Sequence, residues 1–149
     1  MSKRFSIEER VRWSDVDHAG IIYFGSYIRF FEIAETELYR EMGLPYSGAF
    51  EELDVYPVRA QFHSDFHSPA YLDDLLTTEL WVSHLGASSM TFRFEIVRTL
   101  STKGTVDEVL VTGHCVLVTV DRVTLRPRRI PEKLRQRLEA YLFPENQIP

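Results

Sequence analysis

Between residues 26 and 43 the chain runs Ser26-Tyr27-Ile28-Arg29-Phe30-Phe31-Glu32-Ile33-Ala34-Glu35-Thr36-Glu37-Leu38-Tyr39-Arg40-Glu41-Met42-Gly43. Tyr27, Phe31, Ala34, Leu38 and Met42 recur at the 3.6-residue period of a helix, while Arg29, Glu32, Thr36, Glu37 and Arg40 fill the other faces. Ser26 is a residue type that caps a helix start, and Gly43 stands where a helix stops. This segment predicts one long amphipathic helix.

On both sides of it the period changes to two. Upstream, Phe5, Ile7, Val11 and Trp13 alternate with Arg4, Ser6, Glu8, Arg10 and Arg12, which predicts a half-buried strand over 4–13. Downstream, a loop containing Pro45, Gly48 and Pro57 leads to Val58, Ala60, Phe62 and Phe66. Leu76, Thr78, Leu80 and Val82 follow a turn over Pro69–Asp74, and Met90, Phe92, Phe94 and Ile96 form a fourth strand. Val109–Val120 is apolar in both alternate sets, so both its faces are expected to be covered. Pro131, Leu134, Leu138, Tyr141 and Leu142 predict a short closing helix that begins at Pro131. The order of strand, long helix, four strands and short helix implies an α+β fold with a mostly antiparallel five-stranded sheet against one helix. One helix leaves a sheet face and the edge strands open, so at least a homodimer is expected, with a tetramer of two dimers as the larger option.

Composition narrows the function classes. The chain has 149 residues, read as one domain over 1–149, with 44% hydrophobic and 26% charged residues and a net charge of −5. An acidic balance argues against nucleic acid as the partner, because phosphate backbones require a dominant basic surface. Met1–Glu9 has no apolar core of a signal peptide, and no 18-residue apolar run predicts membrane insertion. The single Cys115, set beside Val116, Leu117 and Val118, reads as a buried thiol in a reducing compartment, and a cytoplasmic location is expected.

The segment between the first strand and the long helix carries the chemistry: Trp13-Ser14-Asp15-Val16-Asp17-His18-Ala19-Gly20-Ile21-Ile22-Tyr23-Phe24-Gly25. It sets two carboxylates and a histidine beside a helix start, whose free N–H groups suit developing negative charge. The plain alternative is that Asp15 and Asp17 form turns and Gly20 supplies an unusual backbone angle. Residue patterns alone leave both readings open.

With its Asp15-x-Asp17-x-Ala19-Gly20-Ile21 core, Tyr27 and Glu32, Pro69–Asp74 and the Arg126–Pro131 segment, the sequence resembles the 4-hydroxybenzoyl-coenzyme A thioesterases, including their Tol-Pal-associated relatives. That resemblance implies a hot-dog fold, dimers with active sites at the subunit interface, and hydrolysis of a small aryl- or short-chain acyl-CoA without a cofactor. Asp17 takes the place of the catalytic carboxylate, as nucleophile or general base, and the Phe24 N–H that of the group polarising the thioester oxygen. His18 departs from the proline or small residue frequent there in aryl-type members, which leaves the acyl group open, and a local loop contact is expected for it.

The remaining candidates have weaker signals. Tyr23 and Tyr27 are candidate pocket residues within a mainly structural cluster with Phe24, Phe30 and Phe31. Arg126, Arg128 and Arg129 form a basic cluster suited to coenzyme A phosphates or to a solvated turn. Glu35 is expected to be a solvated helix residue rather than a second catalytic acid. His63, Asp65 and His67 alternate on one strand, where three side chains rarely converge on an ion, so no metal is expected. Two other functions compete with hydrolysis. One is a non-catalytic acyl-CoA or acyl-carrier-protein binder. The other is a hot-dog hydratase or dehydratase, whose paired Asp and His on the segment entering the helix are not found.

Overall fold

The computed structural model describes residues 3–144. Five strands, β1 (Phe5–Arg10), β2 (Tyr56–Phe66), β3 (Leu75–Leu85), β4 (Ser89–Leu100) and β5 (Val109–Val120), form one sheet. Every strand pair is antiparallel, in the order β1-β3-β4-β5-β2. Helix α1 (Tyr27–Glu41) packs against the face of this sheet, α2 (Ala49–Leu53) lies in the connection to β2, and α3 (Glu132–Glu139) closes the described chain. This is the hot-dog arrangement, with the sheet curled around one long helix.

The helical period of α1 buries Tyr27, Phe30, Phe31, Ala34, Leu38 and Tyr39. Phe31 meets Phe94 of β4 at 5.0 Å and Phe62 of β2 at 5.5 Å between ring centroids, so the helix spans the sheet. The helix ends as its sequence predicts. Gly43 takes φ +77°, its N–H donates to Arg40 O, and the Leu44 N–H donates to Tyr39 O, which satisfies two of the last free carbonyls. At the other end Ser26 does not cap. Its hydroxyl donates instead to Asp15 O at 3.0 Å, because the preceding loop folds back within reach.

Three further expectations change in detail. β1 stops at Arg10, since Trp13–Asp15 tightens into a 3-10 turn. β5 is not covered equally on its two faces: Val111, Gly113, Cys115 and Leu117 are buried, while Thr112, His114, Val116 and Val118 stay half-exposed. A register shift opposite Ile96 and Val97 turns Leu110 inward beside Val111, so strict alternation misplaces Leu110. Pro131 stands one position before α3, as its cap. Gly113 is required where it stands, because a Cβ there would lie 2.2 Å from His63 O and 2.6 Å from the Phe94 ring.

β2 forms one edge of the sheet, and among the described residues only β5 pairs with it. Val58, Phe62 and Phe66 remain substantially exposed along it. An 11-residue edge carrying apolar side chains is a surface that proteins ordinarily cover.

Candidate active site

The loop from Trp13 to Phe24 is a small hairpin built onto the start of α1. Val16 bridges Ile22, the Asp17 N–H donates to Ile21 O at 3.1 Å, and Gly20, at φ +74°, turns the chain with its N–H on Asp17 O. A second tether comes from the segment before β3. The Ile22 N–H donates to Ala70 O at 3.0 Å, the Leu72 N–H donates to Gly20 O at 3.2 Å, and Tyr71 bridges Ile21.

Asp17 is exposed at the tip of this hairpin. Its Oδ1 accepts the Ala19 N–H at 2.9 Å, which orients the carboxylate, and Oδ2 has no protein partner among the described residues. Trp13, Val16, His18, Ala19 and Gly20 line a hollow of 440 Å³ beside it. His18 is exposed, lines the same hollow, and has no hydrogen-bond or ion-pair partner among the described residues.

Asp15, two residues earlier, is buried. Its Oδ1 accepts Arg29 Nε at 2.8 Å, and its Oδ2 accepts Arg29 Nη2 at 2.5 Å and the Arg12 N–H at 2.8 Å. Arg29 continues to Glu9 at 3.1 Å. Burial raises the pKa of the Glu9 carboxyl, but hydrogen bonds from the Arg10 N–H, Arg29 and Arg12 outweigh it and hold the group below its ordinary value.

Phe24 opens a 3-10 turn that runs into α1, and among the described residues no acceptor takes its N–H. Tyr23 and Phe24, expected in a mainly structural cluster, are exposed, while Tyr27, Phe30 and Phe31 are core. Phe24 and Tyr27 line a 280 Å³ hollow with Ile22, Phe66, His67, Ser68 and Pro69. The Tyr27 hydroxyl accepts the Ala70 N–H at 3.2 Å, and burial pushes its pKa up to about 12. Within one chain, therefore, Asp17 and Phe24 stand on one hairpin but face two different hollows.

The basic cluster lies elsewhere. Arg128 N–H pairs with Thr119 O at the end of β5, beside the Tyr56 end of β2, whereas Phe66 at the other end of β2 meets Phe24 and Tyr27. Ten residue steps of strand separate those ends by roughly 33 Å. Arg128 is already engaged with Asp54 at 3.3 Å and Asp121 at 3.7 Å, and Arg126 and Arg129 are exposed.

Glu35 departs most from its expected solvated setting. It is 2% exposed, takes a two-pronged contact from Arg59 at 2.6 and 2.9 Å, and accepts the Tyr46 hydroxyl at 2.6 Å. No local pattern shows this, because Arg59 reaches it from a strand 24 residues away. His63 contacts Asp65 at 3.1 Å and His67 contacts Thr112 at 2.8 Å, and among the described residues no group of three or more His, Cys, Asp and Glu is arranged to hold a metal. Cys115 is buried, and burial raises its thiol pKa. Among the described residues no helix is long and apolar enough to cross a membrane.

A curled antiparallel sheet on one long helix is the hot-dog architecture. The chain belongs to the Thioesterase-like superfamily, whose family model matches residues 11–138. It is 30% identical over 125 residues to the acyl-CoA thioester hydrolase YbgC of Escherichia coli O6:H1, an alignment spanning 84% of this chain and 88% of that protein. It is also 27% identical over 101 residues to the 4-hydroxybenzoyl-CoA thioesterase of Pseudomonas sp. strain CBS-3, spanning 66% and 72% of the two chains. In fold it matches the 1,4-dihydroxy-2-naphthoyl-CoA thioesterase Slr0204 from Synechocystis with a TM-score of 0.81, at 19% identity, over 91% of this chain and 96% of that one. The expected family and fold are thereby met.

Proposed function

We propose that the protein hydrolyses the thioester of a small aryl- or short-chain acyl-CoA, with Asp17 as nucleophile or general base. The observation that carries this reading is the hairpin itself. It holds an exposed carboxylate by one oxygen, leaves the other unpartnered, and ends in an unpartnered N–H at Phe24. As nucleophile, Asp17 attacks the carbonyl carbon, the C–S bond breaks with loss of the thiolate, and water then cleaves the mixed anhydride. As general base, Asp17 takes a proton from a water that attacks the carbonyl carbon, and the C–S bond then breaks with loss of the thiolate. On either route the carbonyl oxygen gains negative charge, and a fixed N–H donor such as that of Phe24 is worth about 2.7–4 kcal/mol to such a transition state. Tyr23, Tyr27 and Phe66 offer aromatic contact to the acyl group.

The open β2 edge supports a homodimer, itself able to pair into a tetramer, as the working unit, in which the Asp17 carboxylate and the Phe24 N–H of one hairpin act on one thioester. If β2 pairs antiparallel with its copy, the Tyr56 end of one chain lies beside the Phe66 end of the other. Arg126, Arg128 and Arg129 of one subunit then approach the Phe24 site of its partner, where coenzyme A phosphates need positive charge in an acidic protein. A reducing compartment suits the free Cys115, and on that ground we place the enzyme in the cytoplasm.

The test is thiol release from a panel of acyl-CoA esters, read with a thiol-reactive dye. Release from a small aryl or short-chain ester supports hydrolysis. Tight binding of esters without release replaces it with the binding-protein reading, and hydration of an enoyl ester replaces it with the hydratase.

A further inference from the structure

We infer that Asp15 and Arg29 form a positioning pair that fixes the Asp17 carboxylate and the Phe24 N–H relative to each other. The kinetic arm of this inference rests on the thioesterase reading above. Its geometric arm does not.

Asp15 is 3% exposed, although Arg12, Trp13, Ser14 and Asp17 around it are all exposed. A carboxylate buried in a surface turn carries a desolvation cost that solvated turn formers avoid. Here both carboxylate oxygens and the main-chain carbonyl are engaged. Besides the three donors on its carboxylate, the Asp15 carbonyl accepts the Tyr23 N–H at 2.8 Å and the Ser26 hydroxyl at 3.0 Å. Arg29 answers with its whole fork. Nε and Nη2 hold Asp15, Nη1 holds Glu9, and Nη2 also reaches Arg10 O at 3.2 Å. The hydrogen bond that Arg29 donates to Asp15 raises the guanidinium above its ordinary pKa, against the opposing effect of burial.

These contacts join four pieces of chain: the end of β1, the turn at residues 13–15, the peptide before Phe24, and the first turn of α1. Asp17 follows Asp15 by two residues, and Phe24 follows the bonded Tyr23 by one. The pair therefore spans both groups that the mechanism uses and contacts neither side chain. A displacement on the order of 1 Å between reacting groups lowers a rate by about 10²-fold, so a pair set across both has leverage on turnover rather than on substrate affinity.

Arg29→Lys is the decisive variant, because it keeps the charge against Asp15 and Glu9 and removes the planar two-pronged contact. Asp15→Asn, which keeps size and one acceptor, is its companion should Arg29→Lys fold poorly. For each, kcat and KM are measured on the best acyl-CoA, and amide and Asp17 carboxyl NMR signals are recorded without substrate. The pair predicts a loss in kcat of about 10- to 100-fold with KM within about threefold. It also predicts shifted signals at Tyr23, Phe24 and Asp17, with β3–β5 amides unmoved.

Wild-type kcat together with unmoved Phe24 and Asp17 signals would overturn the inference. So would signal changes spread through the sheet, which mark a merely structural role. If wild-type protein cleaves no acyl-CoA, the thioesterase reading fails alone. The NMR signals then decide the pair, upheld by movement confined to Tyr23, Phe24 and Asp17 and overturned without it.

Discussion

Asp15 and Asp17 stand two residues apart in one surface loop and have opposite surroundings. Asp15 is buried, receives three donors on its carboxylate, and is closed off by Arg29. Asp17 is exposed, receives one donor, and keeps an oxygen unpartnered among the described residues. The difference separates two uses of the same side chain. A carboxylate whose acceptors are all filled holds chain segments together, whereas one with a free oxygen in an open hollow retains the lone pair that chemistry requires.

The sharpest way to break this comparison is to delete each carboxylate in turn. Removing one member of a buried ion pair costs about 3–5 kcal/mol, and the partial exposure of Arg29 brings the expected loss for Asp15→Ala to about 2–3 kcal/mol. Asp17→Ala removes a single turn contact and should lie within about 0.5 kcal/mol of the wild type. Urea unfolding of the two variants checks this. Equal losses would erase the distinction.

A smaller effect follows from pH. Burial raises the Tyr27 hydroxyl to about 12 and also raises Tyr39 and Tyr46, so these groups stay protonated in the folded chain while an unfolded chain releases their protons near pH 10. With fewer protons bound in the unfolded state, stability falls as pH rises from 10 toward 12. Glu9 has the opposite sign. Its lowered pKa contributes stability above the ordinary value of 4.5 that is lost as pH falls through the folded value. Unfolding midpoints across pH 3–12 should therefore decline at both ends, and a flat alkaline limb would contradict the burial of the tyrosines.

The smallest effect sharpens a second contrast, among the arginines. All three are exposed, but Arg128 is engaged by Asp54 and Asp121, while Arg126 and Arg129 have no ion-pair partner among the described residues. Arg126→Ala and Arg129→Ala should raise KM for acyl-CoA by about fivefold with kcat little changed, and the effect should shrink with added salt. An acyl-pantetheine without the nucleotide should show no such change. Arg128→Ala should have the smallest KM effect of the three. Equal losses on both substrates would leave the cluster as a solvated turn.

Much of this architecture was legible in the sequence, because period is a local signal. The stripe from Tyr27 to Met42 gave the helix, Gly43 gave its end, and the alternation of Met90, Phe92, Phe94 and Ile96 matches the buried face of β4. What escaped depends on partners distant in sequence or on elements too short to show a period. The five-residue α2 lies in a segment read as loop, and the register shift in β5 reverses Leu110. Glu35 looks like any exposed helix acid until Arg59 and Tyr46 arrive from elsewhere. By residue pattern alone Asp15 and Asp17 are equally acidic turn residues, and only the family resemblance sets Asp17 apart. Only the fold brings Arg29 onto the first of them, since nothing local specifies which acid a helix arginine reaches.

The most direct test of the account is Asp17→Asn, assayed for acyl-CoA hydrolysis, acyl-CoA binding and unfolding on one preparation. The substitution preserves size and the acceptor for the Ala19 N–H while removing the charge on which both routes depend. The expected result is a fall in kcat of about 100-fold or more, with substrate binding within a few-fold and an unchanged unfolding midpoint. Near-normal turnover by a folded Asp17→Asn protein would contradict it.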